Sequence, residues 1–483
     1  PNDDIAYSYV DALMSRGMLR SLSTLVRPYG VREIRAALDS VADSRSGVVG
    51  GYLHALSDAL KRYELRKPGE TGDKLPFRAK ATFDLYTTVQ TSSLRELMIG
   101  DSGEDAKPAM AGYFVFGAGH VSGSVRALLD NRLNTDPEFP GRKDRKIAGR
   151  TEDGYVRGVW KYAEATFGRV ARSWGPTSLS GLQLGDDAYT YDHLFARAGT
   201  ERINVSTVIA RLDNYALEPG LELSRYFSIH RLALRRGRFE GALSEAFVYS
   251  GVRRGLEFSL VNPFNVYGLS WRNERIDGNL NFGGELSYRS RFGTFAGHVL
   301  LDDIQIDECD TVCNEPSSYG VTLTAEGIPI SGSQRIFASY TRVSNLAYHT
   351  PNVGERYAIY SVGLGRGFSD YDEMRIGADL ALVPRTTLRA YVARRRQGEG
   401  DYRKVYPQNS AFERTPGFLS GTVWTVNRAG ISGATMIGRD FQLVGDAGVN
   451  QNTNRGNRAG YDKTIFEGRV KAIWVPRWLI TFD

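Results

Sequence analysis

The sequence predicts a mostly β protein: a transmembrane antiparallel β-barrel of about eighteen strands with a small N-terminal α-helical bundle. Three observations lead to this fold class. The first seventy or so residues place apolar side chains at helical spacing. From Pro76 onward apolar and polar residues alternate with a period of two. The alternating segments are long, and short turns between them alternate with long polar loops. We therefore expect a helical module at 1–70 and a barrel at 71–483.

The helical module contains three amphipathic segments. Ile5, Tyr9 and Leu13 share one face of the first segment, and residues 30–44 and 50–65 repeat this spacing. The stretch KPGETGDKLP that follows has the Pro, Gly and charged composition of a linker.

Strand alternation is clearest in FRAKATFDLYT, where Phe77 and Phe83 share an apolar face and Arg78 and Asp84 share a polar one. The candidates approach the ~9–11 residues that a tilted membrane-spanning strand needs. If the first strand runs outward, nearly all short turns lie at one end and the long loops at the other. The connection at 235–237 is the exception, because it is short where this scheme requires a loop. The candidate strands are 76–88, 109–118, 120–132, 154–161, 164–171, 202–213, 222–234, 238–249, 254–262, 278–290, 293–304, 318–330, 334–345, 373–383, 386–396, 417–430, 438–450 and 464–482.

The composition argues against an α-helical membrane protein, because no stretch approaches ~18 consecutive apolar residues. The net charge of +6 favours anionic partners such as acidic polysaccharide, lipopolysaccharide phosphate or nucleic acid, although a solvated polar surface explains it equally well. Cys309 and Cys313 lie in an acidic, turn-forming segment, where a local disulfide in an oxidising compartment is expected. The chain begins at Pro1 without a signal peptide, as expected of a processed protein.

The segment GRVARSWGPTSLSGLQLGDDAYTYD, residues 168–192, leaves a predicted strand through a Trp-Gly-Pro corner. We expect Trp174 at the membrane interface, where one end of its ring system is apolar and the other polar. Gly175 and Pro176 should turn the chain sharply. The leucines that should pack this loop against the barrel mouth are Leu179, Leu182 and Leu184.

No nucleophile elbow, P-loop or zinc-protease motif is visible, and the six histidines have no ligand spacing. His230 in SIHRLAL is the one candidate for a lipase-like site on the barrel exterior, and a polar lumen or turn residue is the commoner role. The carboxylates around Asp302 and Asp303 would suit calcium, but they lack EF-hand spacing and are more typical of a solvated acidic loop end. We therefore predict no enzyme, no metal and no cofactor. The further members of this acidic cluster are Asp307, Glu308 and Asp310.

Arginines on the polar strand faces should line the lumen, namely Arg78, Arg126, Arg375 and Arg389. Two interpretations stay open. The arginines could pair internally with Asp84, Asp130 and Asp379, as in many barrels, or their charge could remain unpaired and bind a ligand.

Five stretches, by their order and spacing over about residues 150–430, resemble the capsule assembly Wzi family. They are RVARSWGP with LQLGDDA (169–188), FSIHRLALR with GALSEAFVY (227–249), LVNPFNVYG (260–268), DGNLNFGGELSY (277–288) and GHVLLDDIQID (297–307). Thr177 departs from the Trp-Gly-Pro-Gly corner common in the family, and the cysteine pair is not a family hallmark. The residues that mark the resemblance are Arg169, Trp174, Gly175, Pro176, His230, Arg231, Glu245, Asn262, Pro263, Asp302 and Asp303.

The resemblance implies an outer-membrane barrel with periplasmic helices and extracellular loops that is not an enzyme. It implies a lectin-like protein that attaches or organises capsular polysaccharide or exopolysaccharide. Expected partners are this polysaccharide, outer-membrane lipid and lipopolysaccharide, and not nucleic acid. A conduit working with a periplasmic polysaccharide export protein, and a structural partner in a larger surface assembly, are the alternatives. From the residues themselves we expect loop acids and aromatic rings to contact the sugar: Asp186, Asp187, Tyr189, Tyr191, Asp192, Trp271, Tyr348 and Tyr402.

Overall fold

The computed structural model describes residues 2–41, 47–66, 76–101, 103–274, 276–303, 316–408, 412, 414–476 and 480–482. Within them, eighteen antiparallel strands form one closed barrel, as predicted. The barrel strands are β1 Arg78–Gln90, β2 Asp105–Ala118, β3 Val121–Asp130, β4 Gly149–Val159, β5 Ala163–Arg169, β6 Asp192–Gly199, β7 Ile203–Arg211, β8 Leu221–Arg236, β9 Phe239–Val252, β10 Asn279–Ser290, β11 Gly293–Asp303, β12 Ser318–Pro329, β13 Arg335–Val343, β14 Tyr371–Val383, β15 Thr386–Gln397, β16 Trp424–Ile437, β17 Phe441–Thr453 and β18 Lys463–Trp474.

Five α-helices and several shorter elements complete the part of the chain that the structure describes. The helices are α1 Ile5–Met14, α2 Val31–Asp39, α3 Gly47–Leu60, α4 Phe258–Val261 and α5 Tyr267–Asn273. The short strands are Val26–Arg27, Ser173–Trp174, Tyr215–Glu218, Ala358–Ile359, Val362–Gly363 and Ile480–Phe482, and the 3-10 turns are Leu97–Ile99, Asn131–Asn134, Val353–Glu355 and Arg455–Asn457. No helix among the described residues is long and apolar enough to cross a membrane.

The first strand closes the barrel by pairing on both sides. One side of β1 pairs with β2 along its whole length, and the other pairs with β18 from Leu85–Trp474 to Gln90–Arg469. The chain then returns at Ile480–Phe482 to pair with Ala79–Ala81. Closure removes the unpaired edges that an open sheet would expose.

The predicted alternation places apolar side chains outside and polar ones inside. In β1, Leu85 and Val89 are exposed on the outer face, while Asp84 and Thr88 are buried in the lumen. Three of the four arginines predicted to line the lumen contact carboxylates, as the internal-network interpretation requires: Arg126 contacts Asp153 at 3.0 Å, and Arg375 and Arg389 also have carboxylate partners. Further lumen pairs are Arg62–Asp84, Arg231–Glu285, Arg389–Asp379, Arg389–Glu326 and Arg428–Asp446.

Two errors in the predicted strands cancel, so the count of eighteen is right. The segment 254–262 is not a strand, whereas β6 lies inside a segment predicted to be a loop. The alternation of β6 is masked because Phe195 faces inward, under the guanidinium of Arg172 at 3.8 Å. With β6 restored, the connection at 235–237 lies at the end of the barrel with the short turns, which we call the turn end. We call the other end the loop end.

The N-terminal residues 2–41 and 47–66, here called the plug, pack into the barrel at the turn end. Tyr9 donates its hydroxyl proton to the carbonyl of Arg385 at 2.7 Å, and Tyr52 donates to the carbonyl of Thr386 at 3.0 Å. The apolar faces of the helices form a core that includes Ala434 and Met436 of the barrel wall. The plug therefore fills this end of the lumen.

Residues 253–274, here called the flap, fold over the outside of the barrel. Glu245 lies on the outward face of β9, and its Oε2 accepts a hydrogen bond from the backbone N–H of Tyr267 at 2.7 Å. The Tyr267 ring lies 4.2 Å from the outward-facing His230. The flap covers Phe247 and Tyr249, which are fully buried although they face outward. The segment 254–262 is therefore a helical cover and not a strand.

The outer side of the flap continues the apolar surface of the barrel. Its exposed side chains are Phe258 (87%), Phe264 (74%), Leu269 (59%) and Trp271 (48%). A patch of this kind on a membrane barrel is explained by contact with lipid.

We expect Trp271 to be quenched by lipids whose acyl chains carry bromine, because this ring faces the hydrocarbon. Replacing Trp271 by Phe should lower the quenchable fraction of tryptophan fluorescence in bilayers of such lipids. Trp424→Phe is the matched control, since Trp424 donates to Asn452 inside the barrel. An unchanged quenchable fraction in Trp271→Phe would show that the flap faces water.

Candidate functional site

The Trp-Gly-Pro corner lies inside the lumen and not at the membrane interface, so the interface prediction for Trp174 is wrong. Trp174 is only 2% exposed, and its backbone N–H donates to the carbonyl of Leu184 at 2.8 Å. The physical reason is that residues 170–191, here called the lumen loop, turn inward on leaving β5. Gly175 has φ +126°, and a Cβ there would lie 2.6 Å from His298 Nδ1. Only glycine fits this close approach.

The lumen loop is held in place by polar contacts with the barrel wall and with residues 344–370, here called the second loop. Gln183 donates to Asn281 Oδ1 at 2.9 Å. Tyr348 and Tyr357 of the second loop donate to the carbonyls of Leu182 and Gln183, both at 2.7 Å. Leu182 and Leu184 are buried in the same core, as predicted.

The lumen loop also meets the plug. Ser173–Trp174 pairs antiparallel with Val26–Arg27, and the N–H of Thr177 donates to the carbonyl of Thr24 at 3.0 Å. Asn2 donates to Asp186 Oδ2 at 2.9 Å. Segments from the two ends of the barrel thus contact each other within the lumen.

Above this contact, a polar cleft of about 440 Å³ opens at the loop end. Its floor comes from the lumen loop, and its walls come from the second loop and the inward faces of β13 to β15. The charged and aromatic residues that line it are Arg95, Glu96, Glu138, Asp186, Asp187, Arg366, Phe368, Tyr371, Glu373, Arg375 and Arg395. Cations, carboxylates and aromatic rings together suit an oxygen-rich, charged ligand.

Most arginines of the cleft are paired with carboxylates. Arg95 contacts Glu138 at 2.7 Å, and Arg375 contacts Glu373 at 3.2 Å. Arg395 lies 3.6 Å from Glu373, and its guanidinium stacks 4.3 Å above the ring of Tyr371.

Arg366 differs from these arginines. No carboxylate of the described residues lies within 4 Å of its guanidinium nitrogens, and its Nη2 donates to the neutral hydroxyl of Thr341 at 3.0 Å. Arg366 is therefore the cleft cation best placed to receive an anionic group from a ligand.

Of the predicted sugar contacts, only Asp186 and Asp187 line this cleft. Asp187 Oδ2 accepts from the N–H of Gly367 at 2.8 Å, which joins the lumen loop to the second loop. Asp192 is exposed at the start of β6 and pairs with Arg169 at 2.8 Å.

The Tyr189 ring packs against two arginines. The guanidiniums of Arg95 and Arg150 each lie 4.5 Å from its centroid, and its hydroxyl donates to Asp136. Tyr191 is buried beside His193. Neither ring lines the loop-end cleft.

Tyr348 and Tyr402 are fully buried, so their predicted stacking on sugars is wrong. Their hydroxyls hold loop backbone instead. Tyr402 donates to the carbonyl of Gly367 at 2.9 Å and accepts from the N–H of Gly363 at 2.7 Å. Trp271 lies on the flap and does not line the cleft.

The residues that mark the family resemblance hold these loops and the flap in place. Arg231 and Glu285 form a bidentate ion pair in the lumen, with hydrogen bonds of 3.0 and 2.8 Å, beneath Trp174. Asp302 accepts from the N–H of Tyr348 at 2.6 Å, and His230 Nε2 lies 3.1 Å from Glu245.

Asn262, which precedes Pro263 at the bend between the two flap helices, accepts from the N–H of Phe264 at 3.1 Å. Among the described residues, no group of three or more His, Cys, Asp or Glu side chains could hold a metal ion. The side chain of Asp303 and residues Asp307, Glu308, Cys309, Asp310 and Cys313 lie outside the described residues.

Sequence reasoning missed Arg95, Arg366, Phe368, Tyr371 and Arg395, the cations and rings that line the cleft. One sequence signal for this cleft was present in GRGFSDY, residues 365–371. In this stretch an arginine lies between two glycines and close to two aromatic residues.

The second loop contains a titratable group in an unfavourable environment. Burial raises the pKa of Glu355 from its ordinary 4.5 to about 7, and the nearby charge of Asp277 adds to this. Ionising Glu355 therefore opposes the folded position of the loop.

No protein-family model matches the chain, and no curated protein matches it. Among solved structures, the chain is similar to Escherichia coli Wzi, an outer-membrane protein involved in group 1 capsule assembly and a carbohydrate-binding β-barrel. The match has a TM-score of 0.62 at 13% identity and covers 100% of this chain and 98% of Wzi. Weaker similarity links it to Pseudomonas aeruginosa OprD (TM-score 0.47, 10% identity, 86% and 98% covered) and Acinetobacter baumannii OccAB4 (0.48, 9%, 85% and 99%). The resemblance predicted from the sequence is thus confirmed at the level of the fold.

We expect the second loop to be more stable at pH 5 than at pH 8. A raised carboxyl pKa means that the folded loop retains a proton that the unfolded loop releases, so stability falls as the pH rises from about 4.5 to about 7. Glu355→Gln should remove this dependence and slow hydrogen exchange in 344–370 at pH 8, after correction for intrinsic rates. Glu274→Gln, at an exposed acid, is the control. Equal protection in wild type at both pH values would contradict the expectation.

Proposed function

We propose that the protein is an outer-membrane β-barrel that binds acidic surface polysaccharide at its loop end, in a lectin-like manner, and helps to attach or organise capsule or exopolysaccharide. The observation that carries the proposal is the loop-end cleft with a closed floor and an arginine, Arg366, that lacks a carboxylate partner. The similarity of the fold to a carbohydrate-binding barrel supports it.

The chemistry of the cleft fits a polymer that carries carboxylates and hydroxyls. The Arg366 guanidinium can donate two parallel hydrogen bonds to a uronate carboxylate. Asp186 and Asp187 can accept hydrogen bonds from sugar hydroxyls, and Phe368 and Tyr371 supply apolar surface for the faces of sugar rings.

The closed floor favours retention of a ligand over its passage. The lumen loop and the plug contact each other through backbone hydrogen bonds below the cleft. The proposed activity is binding, with no catalytic step. In this proposal the loop end faces the exterior and the plug faces the periplasm, and lipopolysaccharide and membrane lipid surround the barrel.

One observation favours the alternative of a conduit. Ser178 lines both the loop-end cleft and a larger cavity at the turn end, so only a short part of the lumen loop separates the two spaces. A displacement of this segment would connect them.

We expect Arg366→Gln to weaken binding of the host's purified acidic polysaccharide about tenfold or more, because a charge-assisted contact is lost. Arg366→Lys should bind with intermediate affinity, since it keeps the charge but loses the planar fork. Arg458→Gln is the control, because Arg458 is exposed outside the cleft. Calorimetry with protein in nanodiscs measures the effect, and equal affinity of Arg366→Gln and Arg458→Gln would exclude this cleft.

We expect single-channel conductance near zero in planar bilayers, because the plug and the lumen loop close the lumen. An open porin in the same bilayer is the positive control. Steady conductance steps from wild-type protein would favour the conduit over the lectin-like function.

A further inference from the structure

A cavity of about 690 Å³ lies at the turn end, between the plug and the barrel turns. Residues 11–20 of the plug line one side. The hairpin turns at 237–238 and 290–291, which join neighbouring strand pairs, line another. This volume lies within the ~300–1,000 Å³ range of ligand pockets.

The cavity carries an excess of positive charge. No carboxylate in the part of the chain that the structure describes lies within 4 Å of six of its arginines. By contrast, Arg389 in the same cavity bridges Asp379 and Glu326. The six arginines are Arg16, Arg20, Arg238, Arg289, Arg291 and Arg335.

Neutral contacts hold several of these arginines in place. Arg289 donates to the carbonyls of Arg20 and Leu22, and Arg16 donates to the carbonyl of Ala12 at 2.6 Å. Carbonyl oxygens position a guanidinium but do not neutralise it. The Nε of Arg16 is shielded from solvent and has no hydrogen-bond partner, and burial lowers the pKa of this residue.

We propose that the turn-end cavity binds a small, multiply charged anion through phosphate or carboxylate oxygens. Guanidinium groups match the planar, two-oxygen geometry of these anions. A bound anion would also offset the mutual repulsion of six cations gathered around one cavity. The site lies at the opposite end of the lumen from the proposed polysaccharide cleft and does not depend on it.

The anion can come from solution or from a lipid headgroup. Arg238 and Arg291 are each followed by an outward-facing phenylalanine, Phe239 (55% exposed) and Phe292 (56% exposed). The rim of the cavity therefore borders the apolar belt, where headgroup phosphates would lie. Both sources offer the same oxygen chemistry.

The test is calorimetric titration of inorganic pyrophosphate into the full chain in phosphatidylcholine nanodiscs. We expect saturable binding that weakens as salt rises. Arg238→Gln/Arg291→Gln should weaken it about tenfold or more, because two charge-assisted hydrogen bonds are lost. Arg202→Gln/Arg236→Gln is the matched control: it removes the same charge from exposed turn-end arginines that do not line the cavity.

If Arg238→Gln/Arg291→Gln melts at a lower temperature than wild type, a second variant, Arg20→Gln, is measured in its place. Arg20 is exposed, and within the described part of the chain its side chain donates only to the carbonyl of Gly17. Weaker binding by Arg20→Gln at unchanged melting temperature supports the site. Absence of saturable binding, or equal loss in the cavity and control variants, overturns it. Weaker pyrophosphate binding in phosphatidylglycerol nanodiscs identifies lipid headgroups as the occupant, and unchanged binding there identifies a soluble anion.

Discussion

Closure of the sheet between its first and last strands is the constraint on which the rest of the molecule depends. In hydrocarbon every backbone N–H and C=O must be paired, so β1 has to pair with β18 as well as with β2. An eighteen-stranded perimeter encloses more space than inward side chains can fill. The plug and the lumen loop occupy that space. The positions of the loop-end cleft and the turn-end cavity follow from how the plug and the lumen loop occupy the lumen.

The interior is held by charge pairing as much as by apolar packing. Arg126 joins the plug to the wall through Asp3 at 2.7 Å while it also contacts Asp153 of β4. Trp174 lies over the paired Arg231, so a large apolar ring packs directly on a neutralised ion pair. Removing one partner of such a pair leaves a buried charge without compensation, which is far more costly than a lost surface contact. These buried ion pairs therefore fix the positions of the plug and the lumen loop relative to the barrel wall.

The barrel could be predicted from the sequence because apolar and polar side chains have to alternate along each spanning strand. The site could not be predicted in this way. The two errors in the strand prediction arose where one side of the wall has an unusual neighbour. In β6, Phe195 faces the lumen because it packs against Arg172, and in the flap Leu260 packs on the outer wall of the barrel. The loop tyrosines were misassigned for a related reason. Tyr348 and Tyr402 look like exposed sugar platforms in sequence, but a loop that enters a lumen must satisfy its carbonyls, and tyrosine hydroxyls do this. Arg366 was missed because the presence or absence of a partner depends on tertiary contacts alone.

The two ends of the lumen differ in how arginine charge is compensated, and this difference separates their roles. At the loop end, carboxylates from two loops and one strand contact every lining arginine except Arg366, so the cleft presents one strong cation among acceptors and rings. Such a surface discriminates by geometry, because a ligand must place its anionic group at one point. At the turn end, six arginines with no described carboxylate within 4 Å outnumber the three carboxylates that line the same cavity, so in our proposal a compact anion contacts several of them at once. The two proposals therefore assign selective recognition to the loop end, and strong but less discriminating anion binding to the turn end.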